Sequence, residues 1–419
     1  MTRMPSSLTR RAALTGAAGL GFTVEFLGTR AFADSDKASA KRRLVAVICR
    51  GGLDGLSLSP PVGDPDYAAL RGPIAIPRFG EAGGALPLDR TFGLHPALVQ
   101  VRALAMKGQA RIAPAIATPD RERSHFEAQD VLESGANVVY SASSGWLNRA
   151  LEAMGPPGKV KAMSVGPTAP LILRGRIEAA SWSPGGEAQT DHRLPAILHD
   201  LYANDPLLGP ALASGLTTQA MAKVATADAN MAASGASMSD PAPAPLAQGL
   251  AQARKVGATL AGFITQPDGA QVAAVSIDNF DTHANQGAAE GQLANRLAYV
   301  DAFLDGLASG LGPTWRDTVV VMATEFGRTA RVNGTKGTDH GTASTALLLG
   351  GALRPGGIVG DWPTLRQASL FENRDTAPTL DMRGLFKGVL RDHMGVDRRA
   401  LDTTVFPDSA SVAPVTGLV

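Results

Sequence analysis

The sequence predicts one large α/β domain built on a sheet that is buried on both faces. Three observations carry this. Apolar, β-branched runs recur at Arg43–Cys49 (RLVAVIC), 271–277 (QVAAVSI) and Thr318–Ala323 (TVVVMA), the pattern of strands covered on both sides. Each run ends in a cluster of polar residues, which is where open α/β sheets place their sites. The chain's 419 residues and 44% hydrophobic content suffice for one large core.

The first 33 residues read as an address. Thr9-Arg10-Arg11 is a twin-arginine pattern, a weakly apolar Gly- and Ala-rich segment follows to Leu27, and Ala31-Phe32-Ala33 offers a cleavage site after Ala33. Glu25 and the glycines argue against a stable membrane span. The expected partner is the twin-arginine translocase, and the expected destination is the periplasm or another exported location. Such export suits folded cargo with its cofactor already loaded. The leader carries a net +3, so its removal takes the formal charge from +1 to −2. There is no basic block beyond the N-terminus, so nothing marks a nucleic-acid partner. Cys49 is the one cysteine, which excludes an intrachain disulfide and reads as a core thiol.

After the first strand, Arg50-Gly51-Gly52-Leu53-Asp54 places an acid just past a strand end. Asp54 reads as a metal-binding carboxylate or as the cap of a turn. The spacing is not a dinucleotide fingerprint. Residues 62–94 are loop-rich with a short IAIP strand at 74–77. His95 opens a helix to about Lys107 and reads as structural there. Residues 111–117 (RIAPAIA) form a second strand, interrupted by Pro114. Next, Ser124 precedes a helix ending near Gly135. It reads as an N-cap, or as a hydroxyl able to attack an anion at a helix N-terminus, with Arg121 and Arg123 as anion contacts. His125 reads as an acid, a base, a substrate contact or a core histidine.

Gly145 opens another helix, and 160–176 hold short strands near a sheet edge. From about 181 to 260 the Ala-, Met- and Ser-rich composition predicts a helical insertion with a break at 237–245. His192 and His199 at its start read as exposed or capping. Past the strand at 271–277, Asp281 and His283 form an i, i+2 pair able to converge on one metal. A helix over about 287–308 follows. Past Thr318–Ala323 come Glu325, Arg328, Arg331, Lys336, Asp339 and His340, then a further apolar run at 345–349. Acid-plus-His and acid-plus-Arg clusters after successive buried strands predict one shared polar centre. In the tail, Asp381 caps a helix over 382–394, with His393 at its end favoured by the helix dipole.

The segments RGGLDGL, YAALRGPIAIP, FGLHPAL, RSHFEAQD, GWLNR, FDTHANQ, TEFGRT and TDHGTAS resemble the DUF1501 family of exported proteins with twin-arginine leaders. That family in turn resembles the alkaline phosphatase and sulfatase superfamily. The resemblance implies a mostly parallel central sheet between helical layers, with one or two divalent metals at the strand ends. It implies a leader at 1–33 and a single domain over 34–419. Under it Asp54 matches the first-strand metal ligand, and Ser124 falls near a nucleophile that starts a helix. Asp281 and His283 match an Asp-and-His ligand pair, Glu325 falls where an Asp-His pair is usual, and His340 falls at the last ligand. Two departures stand out: the Asp281–His283 spacing is short, and Phe326 takes a ligand-histidine position.

The combined expectation is an exported metal-dependent hydrolase of phosphate or sulfate esters. Its catalytic residues would be Ser124, His125 and Arg328, and its substrate contacts Arg121, Arg123, Arg331 and Lys336. Its metal ligands would be Asp54, Asp281, His283, Glu325, Asp339 and His340. Histidine ligands favour Zn²⁺ or Mn²⁺ over Mg²⁺ or Ca²⁺. The substrate would be a small anionic ester or a glycan. The alternatives are a non-catalytic periplasmic metal- or glycan-binding protein on a degenerate phosphatase-like fold, and a secretion or surface-assembly protein whose Asp and His residues only brace loops.

Overall fold

The computed structural model describes residues 41–155, 162–165, 169–183, 245–266 and 269–419, with isolated positions between 202 and 226. The leader, His192, His199 and most of the insertion expected at 181–260, including 237–244, lie outside the described residues.

Numbered in chain order, the strands are β1 (Arg43–Cys49), β2 (Leu86–Pro87), β3 (Gly93–Leu94), β4 (Ala110–Ala117), β5 (Ala162–Val165), β6 (Ala179–Trp182), β7 (Val272–Ile277), β8 (Thr318–Ala323), β9 (Ser344–Leu349) and β10 (Leu380–Asp381). All but the β2–β3 hairpin join one eight-stranded sheet in the order β10-β4-β9-β8-β1-β7-β5-β6. Every pairing in it is parallel except those of β9, which runs against both β4 and β8. The loops after β1, β4 and β7, and the loop that joins β8 to the reversed β9, therefore open on the same edge.

The helices are α1 (Gly55–Leu58), α2 (Tyr67–Arg71), α3 (Val99–Met106), α4 (His125–Ser134), α5 (Trp146–Met154), α6 (Pro245–Thr265), α7 (Gln292–Leu311), α8 (Met382–Asp392) and α9 (Arg398–Ala400). Alternation along β1 divides the core in two. Val45, Val47 and Cys49 face a cluster with α3, α6 and α7, while Leu44, Ala46 and Ile48 face one with α5 and α8. Both faces are covered, which is why the strands read as unbroken apolar runs. Burial also drives the Cys49 thiol pKa far up, as expected of a core thiol.

Several boundaries differ from the expected ones, each for a local reason. Pro114 does not interrupt β4. The register shifts between Ala113 and Ile116 with Ala115 at φ 52°, a bulge that absorbs the missing donor. No strand forms at 74–77, where a 3₁₀ turn spans Gly72–Ile74 and Pro77 follows. Helix α3 starts at Val99 rather than His95. Its N-terminus is capped from another helix, by Asp301 of α7 accepting from Gln100 N and Val101 N. Helix α7 starts at Gln292, because Gly287 (φ 85°) and Gly291 (φ 123°) hold the chain out of the helical region. The insertion was expected to begin near 181, but there the chain forms the edge strand β6. Asp381 caps α8 as expected, through Arg383 N. His393 is the C-cap of α8 but not a dipole-stabilised cation. It is buried, Arg43 O accepts from its Nε2, and burial pulls its pKa down to about 4, so it is neutral.

Candidate metal centre

At the shared edge, three loops bring His125, Asp281, His283 and His340 together. His125 starts α4 after β4, Asp281 and His283 follow β7, and His340 precedes β9. Asp281 is the hub. His283 Nε2 lies 2.9 Å and His340 Nε2 3.3 Å from its Oδ1, and His125 Nε2 lies 3.4 Å from its Oδ2. Potential ligand atoms of His125, Asp281 and His340 all lie within 4.8 Å of one another. The Nε2 atoms of His283 and His340 are 3.1 Å apart.

What stands behind each ring decides what its front can do. His125 Nδ1 donates to Glu325 Oε1 at 2.8 Å, His283 Nδ1 to Asp339 Oδ1 at 3.3 Å and His340 Nδ1 to Arg123 O at 2.9 Å. A carboxylate or carbonyl only accepts, so each Nδ1 donates, and in the neutral ring Nε2 is left as the nitrogen with a lone pair. Three Nε2 atoms then face one carboxylate. His125 Nε2 is buried with no hydrogen-bond partner; it approaches Asp281 Oδ2 at 3.4 Å without hydrogen-bond geometry. In their neutral form the three rings and the carboxylate make a set of electron-pair donors that fits a cation. Imidazole nitrogens backed by carboxylates are the usual support of a transition-metal site.

Glu325 is fully buried and saturated. Its Oε1 accepts from Gly51 N (2.8 Å), His125 Nδ1 (2.8 Å) and Gln129 Nε2 (3.2 Å), and its Oε2 from Thr324 Oγ1 (2.9 Å). Burial raises its carboxyl pKa, but these bonds outweigh burial and hold it below the usual range. Glu325, expected as a ligand, is thus placed behind His125. Its bond raises the His125 pKa against the opposing pull of burial. His340 is shifted the other way, by burial and by the charges of Arg328 and His125. Asp339 likewise stands behind His283, held low by Asn333 and His283 against its own burial. Phe326, at the position of an expected histidine, packs its ring 4.8 Å from both His125 and His340.

Arg328 is buried and donates to Asp281 Oδ1 at 2.6 Å and to Thr338 O at 2.6 Å. It outweighs the effect of burial on Asp281 and keeps that carboxyl ionised. Asp54 stands apart from the imidazoles. It is buried against the Arg71 guanidinium, and it also accepts from Ser57 Oγ at 2.8 Å, Gln286 Nε2 at 2.7 Å and Leu56 N at 3.1 Å. Its surroundings balance its charge within the protein, and it does not join the other expected ligands at Asp281. Gln286 and Thr338 link it to Arg328, and so to Asp281.

The expected anion contacts are mostly committed. Arg121 folds back onto Thr118 O and Asp120 O, and Arg123 pairs with Asp375 and Glu372. Arg123 also holds φ 56°, a strained conformation that aims its carbonyl at His340 Nδ1. Arg331 and Lys336 are exposed on the loop leading to Asp339. The Ser124 hydroxyl is bonded to Glu127 and makes no side-chain cap to its helix. The sequence reading missed Gln129 and Glu133. With His125 they form a stripe at i, i+4 and i+8 along α4, gripped by Glu325 on one side and Arg50 on the other. That spacing was available in HFEAQDVLE.

No curated protein matches the sequence. Among solved structures, the chain is similar to the lipoteichoic acid synthase LtaP from Listeria monocytogenes at 9% identity and TM-score 0.38, covering 94% of this chain and 81% of that one. It is similar to the C-terminal periplasmic domain of EcEptC from Escherichia coli at 10% identity and TM-score 0.37, covering 92% and 91%. It is also similar to a protein in the alkaline phosphatase superfamily from Vibrio parahaemolyticus at 11% identity and TM-score 0.34, covering 84% and 72%. A family model described as "Protein of unknown function (DUF1501)" matches residues 41–405, and the chain belongs to that family.

Proposed function

We propose that this protein is an exported, metal-dependent hydrolase of phosphate or sulfate esters. His125, Asp281, His283 and His340 would hold the ion. The observation that carries this reading is the convergence of three Nε2 atoms on the Asp281 carboxylate, each ring fixed from behind through Nδ1. The imidazole-rich donor set favours Zn²⁺ or Mn²⁺ over Mg²⁺ or Ca²⁺. A divalent ion in such a site supplies Lewis-acid polarisation of an ester oxygen.

The chain's own residues have distinct tasks in this reading. Glu325 and Asp339 hold the Nδ1 protons of His125 and His283, and Arg328 keeps Asp281 ionised and oriented. Ser124, at the N-terminus of α4, is the candidate nucleophile, with Glu127 placed to take its hydroxyl proton. Arg331 and Lys336 are exposed cations available to the non-bridging oxygens of an ester. The leader at 1–33 supports export through the twin-arginine translocase. None of the described helices is long and apolar enough to cross a membrane.

One observation favours a second reading, a non-catalytic metal- or glycan-binding protein. The guanidinium groups of Arg121, Arg123 and Arg328 are occupied by protein acceptors, and Ser124 is tied to Glu127. A panel of aryl phosphate monoesters, diesters and sulfate esters, run with Zn²⁺ and Mn²⁺, separates the two readings. The hydrolase reading expects turnover by the wild type, abolished in Ser124→Ala and in His283→Ala. No turnover of any ester by metal-loaded protein leaves the binding reading.

A further inference from the structure

A cleft of about 410 Å³ opens beside the centre, at the carboxyl ends of β1, β5 and β7. Its lining includes Arg50, Phe126, Asp130, Arg174, Ser276 and Asp278. The cleft and the centre share a wall. Arg50 donates to Ser276 Oγ at 3.2 Å and to Gln129 Oε1 at 2.5 Å, and Gln129 donates to the same Glu325 oxygen that fixes His125. Phe126, the residue after His125, leaves its ring 79% exposed. Asp130 accepts from Tyr140 N at 2.7 Å, which fixes its carboxylate in the wall.

We infer that this cleft binds a neutral, hydroxyl-rich ring, that is, a sugar unit. Its role as the leaving-group subsite rests on the hydrolase reading, but the binding itself does not. The chemistry of the lining selects this class. A polyanion would face Asp130, Glu133 and Asp278. A lipid tail would strip water from Arg174 and Asp278 and return no polar partner. Arg174 donates only through Nε, to Ala169 O, so its terminal nitrogens are open among the described residues. Asp278 is exposed at the end of β7, where it can accept hydroxyl protons. A pyranose satisfies both groups with its hydroxyls and lays its C–H face on an aromatic ring, the usual mix of a few placed polar groups and an aromatic wall.

Saturation-transfer NMR on the full chain, with glucose, galactose and N-acetylglucosamine as probes and cyclohexanol as the apolar-ring control, tests this. The expected result is transfer to the ring protons of at least one sugar, with affinity weakened about three- to tenfold in Phe126→Ala. The Arg174→Ala/Asp278→Ala double variant should weaken it as well, and Asp281→Ala should leave it in place. No transfer to any of the sugars, equal binding of cyclohexanol, or sugar binding unchanged in both cleft variants overturns the inference. Ester turnover without sugar binding sinks the cleft alone. Sugar binding without ester turnover sinks the hydrolase reading alone.

Discussion

Replacing Glu325 with glutamine removes one charge from behind His125 and little else, so its effect can be worked from the contacts. The amide keeps the side chain's volume. Its oxygen can still accept from Gly51 N, His125 Nδ1 and Gln129 Nε2, now at 2.8, 2.8 and 3.2 Å. Its nitrogen would face Thr324 Oγ1, which already accepts from Leu53 N at 2.9 Å and can turn its own proton away. What is lost is the carboxylate that makes His125 a stronger donor. The same charge favours a proton on His125, but a divalent ion feels it about twice as strongly at similar range. Losing such an outer partner typically weakens metal affinity about 10–100-fold, or roughly 1.4–2.7 kcal/mol. The cost to the metal-free fold is smaller. Charge-assisted bonds become neutral ones, a difference of about 1–2 kcal/mol. Calorimetric titration of stripped wild type and Glu325→Gln with Zn²⁺ reads the first quantity, and denaturant melts of the stripped proteins read the second. Equal Zn²⁺ affinities in the two proteins would refute the positioning role of Glu325.

Two further predictions concern groups outside the donor set. His393 is held near pKa 4 by burial, below its ordinary 6.5. The unfolded chain therefore takes up this proton first, and stability is lost as pH falls from about 6.5 to 4, by up to about 3 kcal/mol; His393→Gln should flatten the melting profile across that window, and an unchanged slope would remove His393 from the account. Asp54→Ala should strand the buried Arg71 charge and cost roughly 3–5 kcal/mol of stability while sparing metal content. Loss of metal with stability intact would instead return Asp54 to the ligand set.

The sheet was legible because its central strands are covered on both faces, so β1, β7, β8 and β9 stand out as apolar runs. Their order was not legible, since nothing local in TVVVMA or STALLL states that β9 runs against its neighbours. The hub was legible too. Asp281, His283 and His340 follow or precede buried strands, and the strand-end rule points to them. The roles of the surrounding acids were not. Asp54 and Glu325 both follow buried strands, β1 and β8, yet their functions depend on partners far away in sequence. Arg71 turns back from α2 to neutralise Asp54, and His125 arrives from β4 to meet Glu325. The glycines of RGGLDGL also gain their meaning only in three dimensions. A side chain at Gly51 (φ 111°) would come within 2.6 Å of Asp281 N, so the backbone of β1's exit loop packs directly against the hub.

The proposed chemistry requires a cation among His125, Asp281, His283 and His340. Elemental analysis of the purified full chain, after reconstitution with Zn²⁺ or Mn²⁺ and removal of free ion, tests this most directly. It should find about one divalent ion per chain, as a single imidazole and carboxylate set holds, with the ion lost in Asp281→Ala and retained in Asp54→Ala. A chain that remains metal-free after reconstitution, with melting unchanged on adding metal, would contradict the account.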